Sequence, residues 1–366
     1  MRNEAILCAN PLPENKKHLR EIRKSISRVI DSGNYILGSE VEKFEHNLSA
    51  FLGNKYSIGV NSGTDALILS LKALGIKEND EVILPSHTAT ATASAVVSVG
   101  ATPVFVDINE HSFNIDPIDL EKKISTKTKA IVIVHLYGNP CEIAKISEIA
   151  SREKIHLIED CAQSLGATYN HKPTGSFGVL SCFSFYPTKN LGAIGDAGAI
   201  STNNQELFEK IKMLRQYGWN EARISIIESN QSRLDEIQAA ILNVKMKYLE
   251  DSVFQRIETA NIYSDNLCDL DLKIPQISAG NQHSFHLYVI RIKNREKIIE
   301  KLNKKDIYPG IHYKVPVHLN PTFAKFSHEK LTVTENVANE ILSLPLYPGI
   351  KSKEVFKVIE EIKDAL

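Results

Sequence analysis

Three features of the sequence predict an α/β protein whose main sheet is mostly parallel and covered by helices on both faces. Short β-prone segments read as unbroken apolar runs, such as Ile131-Val132-Ile133-Val134, where a strand with one wet face would alternate apolar and polar residues. Segments with helical spacing separate these runs, so strand and helix alternate from about residue 40 to residue 160. Beyond residue 240 the texture changes to long charged helices around a single strand, which predicts a second, smaller α+β domain. The division expected is 1–240 for the large domain with its N-terminal segment and 241–366 for the small one.

Each element has its own signal. From Glu40 to Leu52, Val41, Phe44, Leu48 and Phe51 recur at steps of three and four, the period of an amphipathic helix. Tyr56 to Val60 is a short strand, Asn61-Ser62-Gly63-Thr64-Asp65 supplies capping residues, and Ala66 to Leu74 returns to helical composition. The alternation continues with strands at Glu81–Leu84, Thr102–Ile108, Ala130–Leu136 and His156–Glu159, and with helices at Thr90–Val99, Ile118–Ile124 and Glu142–Glu153. In the second domain, helices are expected at Lys245–Cys268, Arg295–Asn303 and Lys353–Leu366, around a strand at His286–Ile292.

Composition narrows the function classes. The chain has 366 residues, enough to bury a sizeable core, and its 43% hydrophobic and 24% charged content argues against a disordered or fibrous protein. Lys plus Arg (43) balance Asp plus Glu (44), so no global field draws the chain to nucleic acid or to an anionic membrane. The longest stretch without a formal charge, Val82 to Val106, has the length of a membrane span but carries seven Ser and Thr residues and two prolines. It reads as strand, helix and strand in a buried core. The five cysteines are scattered, with no C-x-x-C pair, and the N-terminus has no apolar signal core; a reducing, cytoplasmic setting is expected, with no metal.

Ligands of an open α/β sheet bind beyond the carboxyl ends of its strands, and three polar clusters fall there. Asn61 to Asp65 joins a strand to a helix; it reads either as an N-cap alone or as an anion site on free helix N–H groups. Glu159-Asp160-Cys161-Ala162-Gln163 follows an apolar strand, where a carboxylate caps a helix or serves a ligand. Lys189 stands between the aromatic run Phe183-Ser184-Phe185-Tyr186 and the loop Gly195-Asp196-Ala197-Gly198, an odd place for a solvated lysine and a suitable one for an amine nucleophile. An anion hole, an acid and a sheltered amine are together what pyridoxal phosphate (PLP) requires.

Eight segments in order carry a specific resemblance: Tyr35-Ile36-Leu37-Gly38, Asn61–Leu67, His135–Gly138, Glu159–Gly166, Phe183–Gly192, Ser232–Ala240, His286-Leu287-Tyr288 and Ile311–His318. On them the chain resembles the DegT/StrS family of PLP-dependent nucleotide-sugar aminotransferases, over most of its length. The resemblance implies fold type I, with a mostly parallel seven-stranded sheet in the large domain. It implies that Lys189 attaches the cofactor and then moves the proton between substrate and cofactor, and that Asp160 pairs with the pyridine nitrogen. Gln163 would bond the phenolic oxygen, and Gly63, Thr64 and Ser184 would hold the phosphate. Gln231 of a second subunit would complete the phosphate site, hence a homodimer. His87, Tyr35, Tyr313 and His318 are the expected substrate contacts.

The same resemblance implies amino transfer from L-glutamate, by way of the pyridoxamine (PMP) form, to a keto-deoxysugar nucleotide in amino-sugar biosynthesis. A dTDP-linked 3-keto-6-deoxyhexose is expected, with a 4-keto sugar as the alternative. A dehydratase on this scaffold would carry His in place of Lys189, and a non-catalytic regulator would be free to lose the acid, the lysine or the phosphate loop; all three are kept. The chain departs from the family pattern at Ala89, where an aromatic residue usually stacks on the cofactor, at Gln231 for Asn, at Ala197 for Gly and at Lys314 for Pro. His87 is the candidate to replace the missing aromatic ring. His283 and His286, three apart on an expected strand, point to opposite faces and do not make a metal pair.

Overall fold

The computed structural model describes residues 5–327 and 329–366. Its centre is a seven-stranded sheet of β1 (Tyr56–Val60), β2 (Glu81–Pro85), β3 (Thr102–Val106), β4 (Thr128–Val134), β5 (His156–Asp160), β6 (Leu180–Ser184) and β7 (Gly198–Thr202), in the spatial order β1-β7-β6-β5-β4-β2-β3. The pairs from β6 to β3 are parallel, whereas β7 runs antiparallel to both β1 and β6. Helices cover the sheet on both faces, so the inner strands are buried along their length; in β4, Ile131, Val132 and Ile133 are at most 1% exposed. The Val82–Val106 stretch forms β2, helix α2 below and β3, all within the core, and no helix among the described residues is long and apolar enough to cross a membrane.

Helix α1 spans Gly63–Ala73 and begins three residues earlier than its apolar spacing suggests, because Ser62 caps it: the Ser62 hydroxyl accepts the Asp65 N–H at 3.1 Å. Helix α2 (Thr90–Ser98) follows β2. The single helix expected over Lys245–Cys268 is instead two, α3 (Glu236–Met246) and α4 (Leu249–Leu267), separated by Lys247 and Tyr248. Helix α4 begins in the core of the large sheet with Leu249 and Val253. It ends in a second core with Ala260, Tyr263 and Leu267, which pack on β8 (Tyr288–Arg291) and β9 (Ile341–Leu344). Ile6 also joins that second core, through the short parallel pairing of Ile6-Leu7 with Ile307-Tyr308. The strand expected from His286 begins only at Tyr288; His283 and His286 precede it, buried, in irregular backbone. The opposite-face argument for that pair therefore does not apply, because it required a strand.

Candidate active site

The carboxyl ends of β1, β2, β5 and β6 meet at one edge of the sheet, and the amino end of β7 joins them because that strand runs the other way. Between them lies a cavity of about 250 Å³. Gly63, Thr64, Asp160, Gln163, Ser184 and Lys189 all line it. These residues are up to 126 positions apart in the chain, and only the sheet brings them together.

The floor of the cavity at α1 is built by close backbone approach. A Cβ on Gly63 would stand 2.6 Å from Ser184 Cβ, and one on Gly198 would stand 2.4 Å from the Ser62 carbonyl. Only glycine lets the first turn of α1 sit against the ends of β6 and β7. That turn presents the N–H groups of Gly63 and Thr64, which have no acceptor within the helix, with the positive end of its dipole behind them. The geometry suits an anion, and the Thr64 and Ser184 side chains also line it.

Asp160 ends β5 and is buried. One carboxylate oxygen accepts the Ala162 N–H at 3.1 Å, and the other accepts the Thr92 hydroxyl at 3.1 Å; Thr92 in turn meets the Thr88 hydroxyl at 3.2 Å. Burial pushes the Asp160 carboxyl upward, against the Ala162 N–H and the Lys189 charge, which pull it down. Lys189 stands in the turn after β6, and its ammonium makes no hydrogen bond among the described residues. Burial pushes its pKa down to about 8, against the attraction of Asp160. A lysine so placed supplies a neutral amine near physiological pH. A buried carboxylate facing an unpaired amine, with an anion cradle alongside, can bind a phosphorylated aldehyde and hold a cationic ring nitrogen.

The orientation of Gln163 follows from its partners. Its Oε1 accepts the Tyr137 N–H at 2.7 Å, which the left-handed backbone of Tyr137 (φ 60) aims at it, and its Nε2 donates to the Tyr313 hydroxyl at 3.0 Å. The second Nε2 hydrogen is left for an acceptor in the cavity.

The remaining expected residues lie elsewhere. His87 is fully buried behind the cavity wall, which its neighbours Thr88 and Ala89 form. Its Nε2 meets the Tyr137 hydroxyl at 2.7 Å, and that hydroxyl donates to the His312 carbonyl. His87 is thus held by Tyr137 and does not line the cavity that Ala89 lines. Burial pushes its pKa down to about 4. Tyr313 comes within reach of the cavity through Gln163. His318 is not brought to it: both ring nitrogens are taken, Nδ1 by Ser86 at 2.5 Å and Nε2 by Glu335 at 3.4 Å. Tyr35 lies on the surface, 52% exposed, with its hydroxyl donating to the Ile30 carbonyl at 3.2 Å. Gln231, expected to serve the site of a second subunit, is exposed and outside the lining of this chain's own cavity. Thr92 and Tyr137 set Asp160 and Gln163; Tyr137 lies in the His135–Gly138 segment, but the sequence assigns neither residue a role. Thr92 lies in the first turn of α2 and Thr88 just ahead of that helix, so helical spacing gives no signal for the pair.

Comparison with known proteins agrees with this geometry. The sequence pattern of the DegT/DnrJ/EryC1/StrS aminotransferase family matches residues 16–363. The dTDP-3-amino-3,6-dideoxy-alpha-D-galactopyranose transaminase of Aneurinibacillus thermoaerophilus is 42% identical over 95% of this chain and 96% of its own. The UDP-N-acetyl-3-dehydro-alpha-D-glucosamine 3-aminotransferase of Acidithiobacillus ferrooxidans is 38% identical over 94% of each chain. Among solved structures, S. venezuelae DesV superimposes with a TM-score of 0.97 at 37% identity, covering 99% of this chain and 98% of that one. A Bacillus subtilis structure, NtdA with bound cofactor PMP, matches with a TM-score of 0.90 at 34% identity, covering 95% and 82%. The chain belongs to the DegT/DnrJ/EryC1/StrS family and is a PLP-dependent aminotransferase.

Proposed function

We propose that this aminotransferase moves the amino group of L-glutamate to C3 of a dTDP-linked 3-keto-6-deoxyhexose. The observation that carries the catalytic part is the conjunction, in one cavity, of an unpartnered lysine amine, a buried carboxylate and a helix N-terminus held close by glycine. The choice of sugar rests on the 42% identity to a dTDP-3-amino-sugar transaminase, and the 3-position is shared with the UDP-sugar relative.

PLP, when bound, supplies the carbonyl that captures an amine and the ring that takes up the electrons released at the substrate carbon. The residues act around that chemistry. The N–H groups of Gly63 and Thr64, with the Thr64 and Ser184 hydroxyls, would hold the phosphate. Asp160, kept in place by Thr92 and the Ala162 N–H, holds the ring nitrogen protonated. Gln163 donates its free amide hydrogen to the phenolic oxygen. Lys189 would hold the cofactor through its amine, and that amine would carry the proton from the substrate carbon as general base and return it as general acid. Tyr313 is a substrate contact next to Gln163. A homodimer is part of the reading. Tyr186 on the cavity rim is 54% exposed and Ile194, eight residues on, 48%, apolar groups that a second copy would cover. The five free cysteines suit a cytoplasmic enzyme.

The test begins with purified protein and PLP. The absorbance band of the lysine-linked cofactor should appear, bleach with L-glutamate, and return with dTDP-3-keto-6-deoxyhexose. NMR of the product should place the new amine at C3. An amine at C4, or turnover with keto acids only, would replace the sugar assignment; no band in wild type would remove the catalytic one.

A further inference from the structure

Lys245 is one of the least expected residues in the fold. It lies on α3, its side chain is 2% exposed, and it has no place in the amine, acid and phosphate set. A buried ammonium is costly unless all three of its hydrogens are taken. Here they are: Nζ donates to the Gly192 carbonyl at 2.7 Å, to Asn15 Oδ1 at 3.1 Å and to Glu14 Oε2 at 3.1 Å. The other oxygen of Glu14 accepts the Ser252 hydroxyl at 2.6 Å. The short helix Leu12–Lys17, more than 200 residues away in sequence, and the start of α4 thus support the one bond that α3 makes to the Gly192 carbonyl.

That carbonyl belongs to the turn that presents Lys189. The turn is closed at its base, where the Phe185 carbonyl accepts the Ala193 N–H at 2.8 Å. It is so tight that a Cβ on Gly192 would stand 2.3 Å from the Pro187 carbonyl oxygen. Asn190 pins its far side to the carbonyls of Leu165 (3.2 Å) and Ser284 (3.0 Å), and Gln238 of α3 brackets Ile194 through both its N–H and its carbonyl, at 3.0 Å each. These other anchors are neutral. Neutral donors would suffice if the turn needed only to be held, so the buried charge calls for a further reason.

We propose that Lys245 is a positioning residue for Lys189: with Glu14 and Asn15 behind it, it locks the Gly192 carbonyl and so fixes the turn from which the Lys189 amine enters the cavity. The proposal rests on Lys189 being the attachment lysine. Three effects of losing the charge act in one direction on Lys189. A looser turn admits water, the fixed positive charge behind the turn disappears, and Glu14 is left as an unpaired negative charge; each favours the protonated amine. The charged and titratable groups around Lys189 itself, Asp160, His286 and His312, keep their own partners in the substitution, whereas Glu14, paired with Lys245, and His18, with Lys17 beside it, lose the Lys245 charge from their surroundings.

The experiment compares wild type, Lys245→Met, Lys245→Arg and Lys189→Ala as apo proteins freed of cofactor. The rate and affinity of PLP capture are followed by absorbance from pH 6 to pH 10, alongside thermal melting. In Lys245→Met the midpoint of the pH profile should rise by at least about half a unit and PLP affinity fall by about tenfold, because the amine is both more protonated and less well placed. Lys245→Arg, which keeps the charge and the donors, should restore the wild-type midpoint. If Lys245→Met does not fold, Lys245→Gln takes its place; it keeps an N–H donor for Gly192 and removes the charge, so the midpoint should still rise. A lower melting temperature with an unchanged midpoint and affinity overturns the proposal. If wild type captures PLP no better than Lys189→Ala, the assignment of Lys189 fails and the proposal with it.

Discussion

Gly63→Ala is the sharpest perturbation the geometry offers at the cofactor site. The added Cβ would lie 2.6 Å from Ser184 Cβ and 3.2 Å from Ser184 Cα, where ordinary contact begins at 3.4 Å, so the two backbones must separate by about 0.8 Å. Neither side yields easily. Gly63 is the first residue of α1, and Ser184 is the last of β6, paired with Gly198 of β7. Overpacking of this kind costs about 1–3 kcal/mol of stability. The same displacement moves the Gly63 and Thr64 N–H groups off the phosphate. Hydrogen bonds to a charged group are worth about 1.5–3 kcal/mol each, so weakening one should raise the Kd for PLP by about 10- to 100-fold. Urea unfolding of the apo protein measures the first quantity, and titration of the apo protein with PLP measures the second. Adding Ser184→Gly removes the 2.6 Å contact, so stability should recover, while PLP affinity stays low because the Ser184 hydroxyl is gone. Wild-type affinity for PLP in Gly63→Ala would refute the assignment of this turn as the phosphate cradle.

Further outcomes follow from the same geometry. Because Lys189 is pushed down to about 8, the capture of PLP by the apo enzyme should accelerate as pH rises and level off above about pH 8; a midpoint near the ordinary lysine value would contradict its burial. Lys189→Ala should abolish the lysine-linked absorbance band and amino transfer, with PLP still bound more weakly through the phosphate, as equilibrium dialysis would show. Asp160→Asn should leave PLP bound but lower kcat by at least about a hundredfold, since the amide cannot keep the ring nitrogen protonated; a kcat within about threefold of wild type would remove Asp160 from that role. Glu236, buried, accepts the N–H groups of Gly38, Val41 and Glu40 at 2.7, 2.9 and 3.0 Å, and Glu236→Ala should cost about 2–4 kcal/mol in urea unfolding by leaving those donors without an acceptor.

The alternation of strand and helix that builds the seven-stranded sheet is legible from residue 40 to residue 160 of the sequence. Tyr56–Val60 and Arg295–Asn303 are found where their patterns place them, and most of the other boundaries shift by one or two residues. Buried parallel strands and amphipathic helices carry their periodicity locally, so they are legible one segment at a time. The motif order likewise identified the PLP chemistry, because Asn61–Leu67, Glu159–Gly166 and Phe183–Gly192 each sit at a strand end. What was not legible depends on residues distant in the chain. The antiparallel strand β7, Gly198–Thr202, was not read as a strand, since nothing in Gly-Ala-Ile-Ser-Thr reveals that β1 and β6 wait on either side of it. The helix expected from Lys245 splits at Lys247, where α3 packs in the core beside the large sheet and α4 leaves for the second core.

The site divides in the same way. Lys189, Asp160, Gln163, Gly63, Thr64 and Ser184 were each visible from local spacing or motif, yet only the sheet edge decided that they share one cavity. His87 and His318 show the converse. Both have the residue type of a ligand contact, and tertiary packing gave one to Tyr137 and the other to Ser86 and Glu335. Lys245 opens one of the long charged helices expected from the sequence; it is buried because Glu14, Asn15 and Gly192, up to 231 residues away, supply an acceptor for each of its hydrogens. Periodicity and motif are properties of neighbouring residues, whereas burial and electrostatic partnership are properties of the packed chain.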